Sequence, residues 1–339
     1  MKIGIVTLAL LDNYGGVLQN YALQQILKRM GHVPLTLDYA PLTNFYREFP
    51  RVFCSWLKTI CLRIFKGVHR PFARFMRPKM RPDFFNVFVS KNICITEQMT
   101  KYTKESLEKE NIDAIVVGSD QVWRSKYSMC IEDYYLKFAV DYSSKKIAYA
   151  ASFGVDEWEY SDNQTRQFSN LAKKIDAISV REESGVKLCR EHLGVEALWV
   201  LDPTLLLEKN DYLMLCVDIP KSKENFLAAY VLDDSSRVRD IYNKIAEERN
   251  LTVKYFAADT RASLSIPEWL AMFRDASYVV TDSFHGTVFS IIFGKEFKCI
   301  YNEERGPARF KSLLSMYESG KLAEMRKFSL NWLKKALDS

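Results

Sequence analysis

Apolar runs alternate along this chain with segments of helical spacing, and the runs end repeatedly in polar or glycine-containing turns. Lys2 to Leu10 reads as a buried strand leading into Asp12-Asn13-Tyr14-Gly15-Gly16. Leu18 to Met30 has the periodicity of an amphipathic helix, stops at Gly31, and is followed by a second strand from Val33 to Asp38. Strand, glycine turn, helix and strand make a βαβ unit, which implies a parallel sheet. Further strands are predicted at Asp113 to Gly118, Lys146 to Ala151, Ala177 to Val180 and Leu198 to Leu201.

The style repeats in the second half, with strands at Phe226 to Leu232, Thr252 to Phe256, Tyr278 to Thr281 and Lys298 to Tyr301. Helices are predicted at Arg237 to Arg249, Pro267 to Arg274 and Thr287 to Phe293. Polar, proline-containing stretches between about 205 and 225 mark a boundary. The predicted fold class is α/β, with two Rossmann-like domains whose parallel sheets face a cleft. The expected division is residues 1–210, with an arm at 47–82, residues 211–325, and a tail helix at 326–339. Ligands of open parallel sheets bind at the carboxyl ends of the strands, where the polar turns of this chain recur.

Composition narrows the picture. With 339 residues, 48% hydrophobic and 13% aromatic, the chain fills two cores, which excludes disorder. Seven cysteines without a CxxC spacing read as reduced thiols and argue against zinc knuckles and dithiol redox chemistry. No metal-ligand cluster is visible, so no metal and no cofactor is expected. The first apolar run is too short for a signal peptide and lacks a small-residue cleavage site; a cytoplasmic protein is expected. GxGxxG and GxxxxGK[ST] are absent, which removes the main support for dinucleotide and P-loop functions.

The net charge of +6 is concentrated in one place. From Arg51 to Arg81 there are basic residues and no acidic ones, interleaved with Phe53, Trp56, Leu57 and other apolar residues. Such a segment suits peripheral contact with an anionic membrane face or a lipid-pyrophosphate acceptor. It equally suits a helical arm packed on its own domain. No nucleic-acid motif accompanies it, and no nucleic-acid partner is expected.

The sharpest local signal is Asp282-Ser283-Phe284-His285-Gly286, between a strand and a helix. Backbone N–H groups and the helix dipole favour an anion there, and His285 adds a proton donor or acceptor. The bland alternative is a capping Asp and a packed His. Arg181, at a strand end, suits bidentate recognition of a carboxylate or phosphate, or a salt bridge to the adjacent Glu182 and Glu183. Asn302, Arg305 and Arg309 follow the last strand and either close on the same anion or remain solvated. In the first half, Asn13, Tyr14, Gly15, Gly16 and Gln19, together with Ser119, Asp120, Gln121 and Ser152, are candidates for sugar hydroxyls; tight turns are the default reading.

Taken in order, DNYGGVLQNYALQ (12–24), GSDQVW (118–123), YAASFG (149–154), SVREESG (179–185), LDPTLLL (201–207), TDSFHGTVFSIIFGKEF (281–297) and NEERGPARF (302–310) resemble the polysaccharide pyruvyl transferase family. The resemblance spans nearly the whole chain except the basic arm and the last thirty or so residues. It implies two Rossmann-like domains in a glycosyltransferase B-type architecture. It also implies pyruvyl transfer from phosphoenolpyruvate to a sugar, as a ketal, in bacterial cell-surface polysaccharide synthesis (exopolysaccharide or capsule). The sugar is expected on a lipid-linked oligosaccharide acceptor.

The resemblance places a donor-binding histidine at His285 and a donor-binding arginine at Arg181. Some relatives read Arg-Leu-His where this chain has Ser283-Phe284-His285, so one donor arginine is missing from the turn; either Arg305 or Arg309 replaces it, or the donor differs. The catalytic set expected is His285 for phosphate contact and proton donation, Arg181 for the donor's charge, and Asp120 as general base. Two alternatives stay open: a B-type glycosyltransferase using a nucleotide sugar, and a non-catalytic member of a polysaccharide-assembly complex.

Overall fold

A computed structural model describes residues 1–40, 80–128, 130–256, 264–301 and 306–339. Two parallel sheets organise the chain. The first holds β1 (Lys2–Val6), β2 (Val33–Thr36), β3 (Ala114–Val117), β4 (Lys145–Ala151), β5 (Ala177–Val180) and β6 (Leu198–Trp199), in the order β2-β1-β3-β4-β5-β6. The second holds β7 (Phe226–Tyr230), β8 (Thr252–Phe256), β9 (Tyr278–Thr281) and β10 (Glu296–Cys299), in the order β10-β9-β7-β8. Among the described residues every strand pairing is parallel, with helices between the strands, as an α/β chain requires. β3 and β7 are buried at every position, so their apolar runs are continuous rather than alternating.

Two helices begin earlier than hydrophobic spacing suggests. The first, α1, is Tyr14–Arg29, capped by Asn13, whose side chain accepts from the Gly16 N–H. Tyr14, Gly15 and Gly16 therefore form its first turn, not a turn ahead of it. The helix Phe284–Phe293 likewise starts directly after Ser283, whose hydroxyl accepts from the Gly286 N–H. In both cases a polar cap fixes the start, whereas periodicity registers only the apolar positions further along. The predicted strand Lys298 to Tyr301 lies two residues earlier, at Glu296–Cys299.

One apolar core runs through both sheets, from Ile3 and Val17 to Ala228, Trp269 and Phe289. Its central contact is Tyr14, stacked on Trp269 at 5.2 Å between ring centroids, with its hydroxyl donating to the Leu264 carbonyl at 2.6 Å. The final helix, Leu322–Asp338, returns to the first sheet: Leu201 N–H donates to Ser329 Oγ, and Lys145 Nζ donates to the Leu337 carbonyl. Most of the basic arm lies outside the described residues. Of its cations Arg81 is described, and it points inward, pairing with Asp38 at 2.6 Å with both side chains 5% exposed.

Candidate active site

The carboxyl ends of both sheets converge on a cavity of about 280 Å³. Leu8, Asp12 and Asn13 line it from the end of β1, and Asp120, Gln121 and Tyr127 from the end of β3. Tyr230 ends β7 and Leu232 follows it, Asp282, Ser283, Phe284 and His285 follow β9, and Arg309 and Phe310 belong to the helix Ala308–Glu318. Both capping residues, Asn13 and Ser283, border this space, so the starts of two helices meet there. The leading N–H groups of a helix have no carbonyl partner within it and carry its positive dipole end, which makes the meeting point attractive to an anion.

Arg309 lines the cavity as a cation. It is buried, its guanidinium lies over the rings of Phe284 (5.4 Å) and Phe310 (5.7 Å), and its Nε has no hydrogen-bond partner among the described residues. Among the described residues no carboxylate forms an ion pair with it. Burial, reinforced by the nearby Arg181 charge, pushes its pKa down to about 10.

Arg181 is placed differently. It is 3% exposed, does not line the cavity, and packs its guanidinium 4.6 Å from the Phe284 ring centroid. Nη1 donates to Asp202 Oδ2 at 2.7 Å and Nη2 to Asp120 Oδ1 at 3.3 Å. The carboxylates that hold it are therefore those at the ends of β6 and β3, not the adjacent Glu182 and Glu183. Burial opposes its charge, yet Asp202, Asp120 and Glu182 outweigh that and raise its pKa.

His285 reaches the cavity from the second sheet and rests on the first turn of α1. A Cβ built on Gly15 would land on the imidazole, against Nδ1, Cγ and Cε1, so only glycine leaves room for the ring. The ring's buried nitrogen, Nε2, lies 3.7 Å from Asp202 Oδ2. Asp120, with φ of 70°, holds an uncommon left-handed conformation in the cavity wall.

The remaining sequence candidates divide. Asn13, Asp120, Gln121, Asp282, Ser283, His285 and Arg309 line the cavity. Asp282 also accepts from the backbone N–H groups of Leu232 and Asp233, which ties the β7 and β9 loops together. Tyr14, Gly16, Gln19, Ser119, Ser152 and Gly286 lie behind the surface. Gln19 donates to Thr7 Oγ1 and accepts from Ser119 N–H; Ser119 Oγ donates to the Ala150 carbonyl and also contacts Asp202; Ser152 Oγ donates to Glu182. A side chain on Gly286 would meet Thr281. Asn302 and Arg305 lie outside the described residues.

Sequence reasoning passed over Asp202, Glu182, Phe284 and Tyr127. Glu182 is fully buried and accepts from the Phe153 and Gly154 N–H groups, shaping the turn after β4. Asp202 had a legible signal, since it follows a strand as Asp120 and Asp282 do, but Asp-Pro reads as a stop.

Comparison with known proteins adds a family. The UDP-GlcNAc 2-epimerase of Neisseria meningitidis, bound to UDP-GlcNAc, aligns with a TM-score of 0.48 at 10% identity, covering 98% of this chain and 94% of that one. A glycosyltransferase of Rickettsia africae aligns with a TM-score of 0.43 at 10% identity, covering 99% and 93%. No curated protein matches the chain in sequence. A sequence model of one family matches residues 13–304, from the cap of α1 to beyond the last strand. The chain belongs to the polysaccharide pyruvyl transferase family.

Proposed function

We propose that the cavity binds phosphoenolpyruvate and that the protein transfers its pyruvyl group, as a ketal, to a sugar of a lipid-linked polysaccharide precursor. The observation that carries this reading is Arg309, a buried cation without a carboxylate partner among the described residues, facing the same cavity as His285 and two helix starts. Phosphoenolpyruvate brings both a carboxylate and a phosphate, and preorganised cations and N–H donors suit both. Arg309 takes the place of the arginine that Ser283 does not supply. Arg181, engaged by two carboxylates, acts by fixing Asp120 and Asp202 and by backing Phe284.

The chemistry follows from these positions. His285 gives a proton to the methylene carbon, which makes C2 electrophilic. One sugar hydroxyl bonds to C2 and passes its proton to Asp120, whose Oδ2 has no hydrogen-bond partner among the described residues. A second hydroxyl then bonds to C2 as the C2–O bond to phosphate breaks, and inorganic phosphate leaves with the electron pair. Of the two hydroxyl protons, one restores His285 and one departs with phosphate. Ligand-dependent thermal stabilisation tests the donor: phosphoenolpyruvate is expected to raise the melting temperature and nucleotide sugars are not. The reverse pattern would replace this reading with nucleotide-sugar transfer.

A further inference from the structure

Asp202 is buried beneath the candidate site with no exposed side-chain surface. Both of its oxygens are fixed. Oδ1 accepts from the Thr204 N–H at 3.0 Å and from Thr204 Oγ1 at 2.6 Å, while Oδ2 accepts from Arg181 Nη1 at 2.7 Å and contacts Ser119 Oγ at 3.1 Å. This rigid carboxylate comes from the end of β6 in the first sheet, and His285 comes from the second. Their juxtaposition exists only where the two sheets meet.

The imidazole has little freedom to choose another arrangement. Gly15 lies against the ring, and Phe284 packs edge-on at 5.3 Å. Nε2 is the nitrogen sealed from solvent, 3.7 Å from Asp202 Oδ2, while Nδ1 lies on the side of the ring toward Gly15, and the residue lines the cavity. An ionised carboxylate only accepts hydrogen bonds, so a bare Nε2 lone pair aimed at Oδ2 would be repelled and an Nε2–H attracted. Catalytic hydrogen bonds of this kind are often long until the cleft is filled.

We propose that Asp202 is the positioning residue of His285: it keeps a proton on the buried Nε2, so that Nδ1 is the nitrogen that exchanges a proton with the ligand. For the identity of that ligand the inference rests on the reading above; for the ring it stands alone. In the reaction, Nδ1–H gives its proton to the methylene carbon, Nε2–H remains bonded to Asp202, and the bare Nδ1 then recovers a proton released by the attacking hydroxyl. The arrangement is that of a carboxylate orienting a histidine in hydrolase triads, here assembled from two sheets.

Nitrogen-15 NMR of the histidine rings at alkaline pH tests it without any substrate, because the chain has only four histidines and a His285→Gln spectrum identifies the signal. The wild type is expected to show a slowly exchanging, downfield ring proton of His285 bonded to Nε2, and Asp202→Asn is expected to lose it. A ring proton on Nδ1, no protected ring proton in the wild type, or a signal unchanged in Asp202→Asn would each overturn the assignment. Arg181→Gln/Asp202→Asn, which removes both buried charges together, provides the same readout if the single variant does not fold. Calorimetry with phosphoenolpyruvate separates the two claims: a wild type that shows the Nε2 proton but does not bind the ligand retains the positioning role and loses the donor.

Discussion

The imidazole of His285 occupies the space that a side chain at position 15 would fill. A residue on the first helix and a residue on the helix that follows β9 are thereby fitted to each other beside the candidate site. Gly15→Ala is expected to push the ring off its place, lower stability by about 1–3 kcal/mol through overpacking, and abolish ligand binding. Gly16→Ala is the control: its Cβ would meet nothing closer than Asn13 at 3.4 Å, and it should be neutral or mildly stabilising. Urea denaturation with phosphoenolpyruvate calorimetry checks both; equal behaviour of the two variants would refute the fit.

Gly306 and Gly154 make a second contact of this kind, between the chain just before the helix Ala308–Glu318 and the turn after β4. A Cβ on Gly306, whose φ is 88°, would strike the Gly154 carbonyl. Gly306→Ala is therefore expected to destabilise the protein by about 1–3 kcal/mol and to displace the neighbouring Arg309, weakening anion binding. Equilibrium unfolding and phosphoenolpyruvate affinity measure the two effects, and a variant of wild-type stability would remove the contact from the account.

The Arg181–Asp202 pair carries a prediction about acid. Burial alone would raise the Asp202 pKa, but His285, Arg181 and Thr204 hold it far below the usual carboxylate range. A carboxylate depressed on folding contributes stability that is present above its unfolded value of about 3.9 and is lost as pH falls through the folded one. The stability difference between wild type and Asp202→Asn should thus persist at about pH 5 and shrink as the pH falls into strong acid. Arg181→Met, which strands two buried carboxylates, is expected to lose about 3–5 kcal/mol at neutral pH. Denaturation curves across pH decide; a difference that vanishes near neutrality would contradict the pairing.

Asp133 behaves in the opposite sense. Burial, with the neighbouring Glu132 charge, raises its pKa to about 6. A carboxyl raised on folding stabilises most below its unfolded value of about 3.9 and loses that contribution as pH rises through about 6. Asp133→Asn should accordingly raise the melting temperature at pH 8 and have little effect near pH 4. An equal gain at both pH values would show that the carboxyl is not perturbed.

The fold was largely legible because most strands of both sheets are short apolar runs closed by a polar turn; β10 (EFKC), half polar, is the one whose bounds were displaced. The site was legible where a side chain at a strand end reaches the cavity, as for His285, Asp120 and Gln121. It was not legible where polar residues serve the backbone. Gln19, Ser119 and Ser152 have the composition of a sugar site, yet their hydrogen bonds lie within the fold. Nor does local sequence reveal pairing at a distance. Arg181 is followed by two glutamates but is held by Asp120 and Asp202, respectively 61 and 21 positions away. Both glycine contacts are similarly invisible until the two halves are placed together.

Calorimetric titration of phosphoenolpyruvate into wild type, His285→Ala and Arg309→Met tests the central claim most directly. The account predicts saturable binding to the wild type, a loss of about 2–5 kcal/mol in affinity for Arg309→Met from removing a buried cation opposite a charged ligand, and no measurable binding to His285→Ala. No binding to the wild type, or binding that both variants retain, would contradict it.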